Sequence, residues 1–181
     1  MNKVNIEDIE NNIGFKITNQ ELINYIESSN LLYENLQDQE YESYILEYIK
    51  TISNDLVKAG ESRETQWENG WLENFELFQK SENFTDLIPK YHTKNNIAKL
   101  NGRIIKTHSE FFDYYINSFF VDAVLLKHID KYDKIFDFGC GTGYHLFRLE
   151  TYNSNKKYFG LDWTKSSQNI IDLYSKSIQN S

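Results

Sequence analysis

Three glycines spaced two residues apart, with an acidic residue on either side, carry the clearest chemical signal in the sequence. Gly139, Gly141 and Gly143 follow Asp137, and Asp162 lies nineteen residues after the third glycine. Glycine permits a tight turn with positive φ and lets a ligand approach the backbone closely. An aspartate with the unperturbed pKa of about 3.9 is ionised at neutral pH and can pair with an ammonium group. The pattern predicts a site for a ligand that carries positive charge rather than phosphate.

The spacing departs from the fingerprint of dinucleotide-binding proteins. That fingerprint is G-x-G-x-x-G, and its last glycine position holds Tyr144 in this chain. An acid two residues before the first glycine would also repel a pyrophosphate. A nicotinamide-dependent oxidoreductase is therefore disfavoured, although it stays an alternative. Glycines that serve only the packing of a turn are the structural alternative to either ligand.

The residues around the glycines predict strand, turn, helix, strand and helix. The run from 134 to 138 is short and apolar, 144 to 150 has helical character, 157 to 161 predicts a second strand, and apolar residues from 170 to 178 recur at helical spacing. This order begins a doubly wound α/β sheet, in which ligands bind beyond the carboxyl ends of the strands. An acid at the end of the second strand, Asp162, is suited to accept hydrogen bonds from both hydroxyls of a ribose.

Together these residues resemble the first and second motifs of class I S-adenosylmethionine-dependent methyltransferases, over about residues 134 to 175. The resemblance implies a Rossmann-like sheet with S-adenosylmethionine as cofactor. It implies that the acid and glycines at 137, 139, 141 and 143 hold the methionyl and ribose part, and that Asp162 binds the ribose diol. The reaction it implies is in-line attack of an acceptor oxygen on the sulfonium methyl. The sequence does not identify a general base.

Two upstream segments, 66–71 and 87–91, are similar to segments that precede the catalytic core in some bacterial methyltransferases encoded with capsule and surface-polysaccharide genes. The similarity implies a small, carbohydrate-linked or phosphoramidate-type acceptor and a helical lid. It gives four candidate substrate residues, Trp67, Trp71, Tyr91 and Arg103. The alternative is that both tryptophans are core aromatics and that the arginine is a surface charge.

Local signals predict mostly helices before residue 107. An apolar stripe runs from 41 to 56, with Gly60 as its C-terminal cap, and Asn19 is suited to cap a preceding helix. Trp71, Phe75 and Phe78 indicate another helical face. The dipeptide Asn101-Gly102 predicts a tight turn between two short strands.

The spacing of Thr107 and Glu110 predicts a capping box at the start of a helix that ends before Lys134. We therefore divide the chain into a mostly helical lid region, 1–106, and the start of an S-adenosylmethionine-binding α/β domain, 107–181. A class I sheet normally has seven strands, so we expect an N-terminal portion of an enzyme. Alternatively, the chain is a non-catalytic cofactor-binding or interaction module, with self-association through an uncovered sheet edge.

Composition narrows the choice of partners. The 181 residues carry 27 acidic and 19 basic side chains, a net charge of −8, which disfavours binding to nucleic acid. One cysteine excludes a disulfide scaffold, and the four scattered histidines predict no metal site. No apolar stretch approaches the roughly 20 residues of a membrane span. The first residues are polar and acidic, unlike a targeting peptide, so we expect a cytoplasmic protein.

Overall fold

The computed structural model describes residues 1–54, 63–89 and 97–179 of the chain. These residues form a mixed α/β structure. Its elements, in chain order, are β1 (Asn2–Lys3), α1 (Ile6–Ile13), α2 (Gln20–Ser28), β2 (Leu32–Asn35), α3 (Asp38–Asn54), α4 (Arg63–Ser81), a 3₁₀ helix (Phe84–Leu87), β3 (Ile97–Leu100), β4 (Arg103–Thr107), α5 (Phe112–Ile129), β5 (Lys134–Phe138), α6 (Tyr144–Tyr152), β6 (Lys157–Leu161) and α7 (Lys165–Gln179).

An antiparallel sheet of four strands has the order β1-β2-β4-β3. Leu100 pairs with Arg103 across the turn at Asn101 and Gly102, whose φ angles are 51° and 75°. Two consecutive positive φ angles are the geometry that Asn-Gly favours in a hairpin turn, and the predicted hairpin is confirmed. The pairing of β2 with β4 was not predicted, because the two strands are far apart in the sequence.

The same sheet explains why the predicted capping box is wrong. Thr107, the last residue of β4, pairs with Tyr33 of β2. The next residue, His108, donates its N–H to the carbonyl of Leu32 at 3.0 Å. These contacts keep the backbone extended where the box would have begun a helix. Helix α5 starts at Phe112, and its N-cap residue, Phe111, has a φ of 55° and makes no capping hydrogen bond with its side chain.

Strands β5 and β6 form a parallel pair, as the sequence predicts, with Asp137 opposite Gly160. Successive side chains of a strand point to opposite faces. One face of this pair is partly covered by the rest of the molecule. The other exposes Phe136, Phe138, Phe159 and Leu161, which are between 39% and 80% accessible to solvent. Among the described residues, nothing covers this second face.

Two apolar clusters hold the elements together. The first joins the antiparallel sheet to α1, α2 and α5, with fully buried members such as Ile26 and Phe119. The second joins α4, the 3₁₀ helix, α6 and α7, and includes Phe147 and Ile170. Tyr158 packs against both clusters. Helix α6 lies between the two clusters, because it contributes Leu149 to the first and Phe147 to the second.

Helices are present where the sequence predicts them after Asn19, along the stripe from 41 to 56 as far as residue 54, around Trp71 to Phe78, at 144–150 and at 170–178. In the structure they are α2, α3, α4, α6 and α7, and the last four extend beyond the predicted residues at one or both ends. Asn19 caps α2 as expected, because its side chain accepts a hydrogen bond from the N–H of Leu22 at 2.9 Å. Gly60 lies outside the described residues. Among the described helices, none is long and apolar enough to cross a membrane.

Candidate functional site

The glycine turn connects β5 to α6 at the carboxyl end of the parallel pair. Gly139, Gly141 and Gly143 have φ angles of 80°, 54° and 70°, a region that side chains with a Cβ rarely adopt. The N–H of Gly139 donates to the carbonyl of Leu161 at 2.7 Å, and that of Gly143 donates to the carbonyl of Cys140 at 2.9 Å. The turn is therefore folded against the end of β6.

The three glycines have different surroundings. Gly139 is exposed, and a Cβ built on it would meet no atom within 4 Å. A Cβ on Gly141 would lie 3.0 Å from Cζ2 of Trp71, and one on Gly143 would collide with Ile171. Space is open at Gly139 for a ligand to approach the backbone closely. At Gly141 and Gly143, the missing Cβ instead leaves room for neighbouring side chains of the protein itself.

Asp162 follows β6 directly and is hydrogen-bonded to the turn. Its Oδ2 accepts from the N–H of Gly141 at 2.9 Å. Its Oδ1 accepts from the N–H and the hydroxyl of Thr164, at 2.8 Å and 2.7 Å. A carboxylate offers about four acceptor positions, so roughly one is left on Oδ2 for a ligand. The sequence analysis missed this structural role, although an Asp two residues before a Thr is a common local signal for such a turn.

Asp137 lies near Asp162 and is half-buried near the end of β5. Burial raises its pKa, His145 lowers it in part, and the charge of Asp162 raises it further. Phe138 pairs with Leu161, so Asp137 and Asp162 stand at the same, carboxyl end of the parallel pair. A partly desolvated carboxylate of this kind gains from a cationic ligand.

Helix α4 packs along α7 and covers part of the turn. Trp71 is buried against Gly141 and stacks on Trp67, with ring centroids 5.3 Å apart. The neighbouring Glu68 accepts from the backbone N–H groups of Lys165 and Ser166, at 2.8 Å and 2.9 Å, and from the Ser166 hydroxyl.

Glu68 therefore caps the N-terminus of α7. Hydrogen bonds from the Ser166 side chain and from the backbone lower its pKa, despite the opposing effect of burial. The sequence analysis did not identify this residue, and no local pattern could have done so, because its partners lie 97 and 98 positions away.

Of the other two upstream candidates, the structure describes only Arg103, and it does not lie at the turn. Arg103 is exposed on β4 and lines a cavity of about 570 Å³ beside the antiparallel sheet, together with Asn12 and Tyr33. No residue of the glycine turn lines that cavity. Tyr91 lies outside the described residues.

A buried charge cluster lies beneath the start of α6. The guanidinium of Arg148 donates from Nε and Nη2 to the two carboxylate oxygens of Asp122, at 2.7 Å and 3.0 Å. It also donates from Nη1 to the Tyr114 hydroxyl at 3.3 Å, and Nη2 lies 2.8 Å from Nδ1 of His145. Asp122 is completely buried. This cluster was not predicted, because an arginine within a helix does not reveal a partner on another helix.

Cys140 is not suited to act as a nucleophile. Burial raises the pKa of its thiol to about 11, so the reactive thiolate is scarce at neutral pH. Within the described residues, no group of three or more histidine, cysteine or acidic side chains is arranged to hold a metal ion. The two carboxylates at the turn, Asp137 and Asp162, are hydrogen-bond acceptors for ammonium or hydroxyl groups.

Searches of family models, of curated proteins and of solved structures found no match to this chain.

Proposed function

We propose that this chain is an S-adenosylmethionine-dependent methyltransferase with a Rossmann-like core. One observation carries the proposal: Asp162, at the carboxyl end of the second parallel strand, is hydrogen-bonded to the glycine turn that follows the first strand, at 2.9 Å from Gly141 N. This is the position at which doubly wound sheets bind nucleosides. The acceptor proposed is the oxygen of a small, carbohydrate-linked or phosphoramidate-type molecule.

The residues at the turn fit the cofactor. Asp137 is a partly desolvated carboxylate and would pair with the ammonium group. The open space beside Gly139 would admit the ligand against the backbone. Asp162 keeps an acceptor position on Oδ2 and would take a ribose hydroxyl. When bound, the cofactor supplies a methyl group already activated by its sulfonium.

The protein's contribution to the reaction would be alignment. Orienting an acceptor oxygen in line with an activated methyl group contributes on the order of 7–11 kcal/mol to lowering the barrier. Trp67 and Trp71 form a rigid aromatic wall beside the turn, and Glu68 anchors that wall to α7. In this proposal the wall limits the space from which an acceptor approaches.

Calorimetric titration tests the proposal directly. We expect S-adenosylmethionine and S-adenosylhomocysteine to bind and NAD not to bind. Binding of NAD alone would instead indicate an oxidoreductase, and binding of neither sulfur nucleoside would contradict the proposal.

Replacing Asp162 by alanine should weaken the binding of S-adenosylhomocysteine by about 1–3 kcal/mol, the scale for the loss of charge-assisted hydrogen bonds. The matched control is Asp172→Ala, which removes an exposed carboxylate from α7 and should leave affinity unchanged. Because Asp162 also holds the turn, the thermal unfolding of the variant is measured alongside. Unchanged affinity in a folded Asp162→Ala protein would remove this residue from the ribose site.

A non-catalytic cofactor-binding or interaction module is the second candidate. The exposed aromatic face of the parallel pair favours it, because large apolar patches mark surfaces for other molecules. The two candidates differ in turnover. A methyltransferase forms S-adenosylhomocysteine from S-adenosylmethionine when a panel of sugars and sugar phosphoramidates is supplied, whereas a binding module forms none.

A further inference from the structure

The cavity that Arg103 lines opens between the last turn of α1 and the hairpin end of the antiparallel sheet. Its volume of about 570 Å³ lies within the range of about 300–1,000 Å³ that is typical of small-molecule sites. Four of its nine described lining residues are asparagines. None of the nine belongs to the glycine turn or to the two helices that pack on that turn. The cavity is therefore a second candidate site.

The register of the sheet explains why this cavity is polar. Residues directly opposite each other in an antiparallel pair have their side chains on the same face. Asn35 pairs with Ile105, and Arg103 pairs with Leu100. Both polar residues therefore lie on the face whose members Leu100 and Ile105 are buried, yet they are themselves exposed. The face changes from apolar to polar where the cavity opens.

Two of the asparagines are fixed by hydrogen bonds between α1 and the hairpin turn. The amide nitrogen of Asn12 donates to the carbonyl of Asp8 at 2.8 Å and to the side-chain oxygen of Asn101. The amide nitrogen of Asn101 donates in turn to the Asp8 carboxylate at 2.9 Å. This wall of the cavity is thus formed before any ligand enters.

The other polar side chains of the cavity are not used by the fold. Among the described residues, the side chains of Asn11, Asn35 and Arg103 have no hydrogen-bond or ion-pair partner. An amide offers both donors and acceptors, which match the hydroxyl groups of a sugar. A guanidinium is a planar fork of donors that matches a carboxylate or a phosphate.

The charge of the cavity differs from that of the whole chain. The chain has a net charge of −8, but no acidic residue is among the described residues that line the cavity, and Arg103 is a cation. A neutral sugar would leave the guanidinium without a partner, and a bare anion would leave the amides without one. The lining therefore matches a ligand with several hydroxyl groups and a negative charge.

We infer that this cavity binds a small anionic carbohydrate, a sugar that carries a carboxylate or a phosphate group. Arg103 holds the anionic group, and the amides of Asn11 and Asn35 bind hydroxyl groups. The inference does not depend on the proposed function, because the cavity and the glycine turn share no residue. The cavity is open to solvent and its ligand is small, so we expect a dissociation constant on the order of 1 mM.

Nuclear magnetic resonance titration of the full chain with four compounds tests the class of ligand. Glucuronate and glucose 6-phosphate have hydroxyl groups and a negative charge, glucose has only the hydroxyl groups, and inorganic phosphate has only the charge. We expect at least one anionic sugar to bind at least about tenfold more tightly than glucose and inorganic phosphate. The tighter of the two anionic sugars identifies the group as carboxylate or phosphate. Absence of binding by both, or equal binding of glucose or phosphate, would overturn the inference.

The same spectra locate the ligand. We expect chemical-shift changes at the backbone N–H of Gly102 and at the side-chain amide of Asn35, whose signals are identified by their loss in Asn35→Ala. Changes confined to Gly139 and Gly141 would contradict a site at the hairpin. S-adenosylhomocysteine is expected to give the reverse pattern, so a failure of the proposed function is distinguished from a failure of this inference.

Substitutions test the residues. Arg103→Gln should weaken binding of the anionic sugar about tenfold, and Asn35→Ala about fivefold, without lowering the melting temperature, because both side chains are exposed and unpartnered among the described residues. The matched control is Lys99→Gln. It removes an exposed cation from the same hairpin, but Lys99 pairs with Ile104 on the opposite face of the sheet. Equal weakening by Arg103→Gln and Lys99→Gln would indicate only a general effect of charge and would overturn the assignment.

Discussion

The two aspartates of the candidate site are held in opposite ways. Asp162 accepts three hydrogen bonds from Gly141 and Thr164, so its carboxylate is held in place by the turn itself. Asp137 is half-buried, and burial raises its pKa. Asp162 is thus part of the framework of the turn. Burial of the ionised Asp137 carboxylate has an electrostatic cost, which a cationic ligand would reduce.

Replacing Asp137 by asparagine should therefore stabilise the unliganded chain at neutral pH. A folded-state pKa that is raised favours the protonated form in the fold, so the contribution of the carboxyl to stability is largest below its unfolded pKa of about 3.9 and is lost as the pH rises through the folded value. We expect the variant to unfold up to about 2 °C higher at pH 7, since the group is half-exposed. Thermal melts followed by circular dichroism measure this.

The same experiment at lower pH checks the sign of the effect. The advantage of Asp137→Asn should shrink as the pH falls through the raised folded-state pKa of Asp137 and should be gone below about 3.9, where the wild-type carboxyl is neutral in both the folded and the unfolded state. Asp133→Asn, which removes an exposed carboxylate just before β5, is the matched control and should show no such trend. A variant that is less stable than the wild type at pH 7 would contradict the assignment of Asp137 as a desolvated group.

At the scale of elements, the turn is shaped by what packs on it. Helix α7 brings Ile171 against Gly143, and α4 brings Trp71 against Gly141. Glu68 joins these two helices by capping α7. The glycine pattern therefore serves two purposes, since only its first position opens to solvent and the other two allow helices to approach the strand ends.

Alanine substitutions separate these purposes. Gly139→Ala adds a methyl group in open space, so only the positive φ of 80° opposes it, and we expect a loss of about 1–2 kcal/mol in the free energy of unfolding. Gly143→Ala adds a collision with Ile171 and Phe147 to a similar φ cost, and we expect a loss of about 2–5 kcal/mol. Denaturant titration measures the free energy of unfolding of both variants. Equal losses would contradict the proposed difference between the open position at Gly139 and the packed position at Gly143.

The sequence predicted elements whose signals are local. The Asn19 cap and the Asn101–Gly102 turn each depend on a few adjacent residues, and the parallel pair depends on the continuous order of strand, glycine turn, helix and strand from 134 to 161; the structure contains all three. Thr107 had an equally good local signal for a helix start. Pairing with Tyr33 outweighed that signal, because a strand position in a sheet depends on a partner distant in the sequence.

In the candidate site too, the sequence predicted residues that belong to a local motif and did not predict their partners on other elements. The acids and glycines form a local motif, whereas the Glu68 cap and the Arg148–Asp122 ion pair join different helices. Nothing in the spacing of these residues specifies such partners. The sequence therefore indicated the glycine turn and its two aspartates, but not the contacts from other helices that hold the turn in place.

At the scale of the whole molecule, the chain combines a net charge of −8 with an aromatic surface that no described residue covers. Phe136 and Phe159 stack on each other with centroids 4.8 Å apart, and Phe138 is 80% exposed. Parallel strands are normally covered on both faces. General charge repulsion opposes association, whereas burial of the surface that Phe136 and Phe159 still expose favours it by about 1 kcal/mol for each.

We expect the gain from burying apolar surface to exceed the cost of charge repulsion, so that the chain self-associates through this face at high concentration. Sedimentation velocity over a concentration series measures the association, which added salt should strengthen by screening the net charge. Replacing Phe136 and Phe159 together by serine should weaken association at least about tenfold, because two large apolar side chains leave the contact. Leu46→Ser, at an exposed position on α3, is the control and should leave association unchanged. A chain that stays monomeric throughout the series, or a double variant that associates like the wild type, would contradict a role for this face.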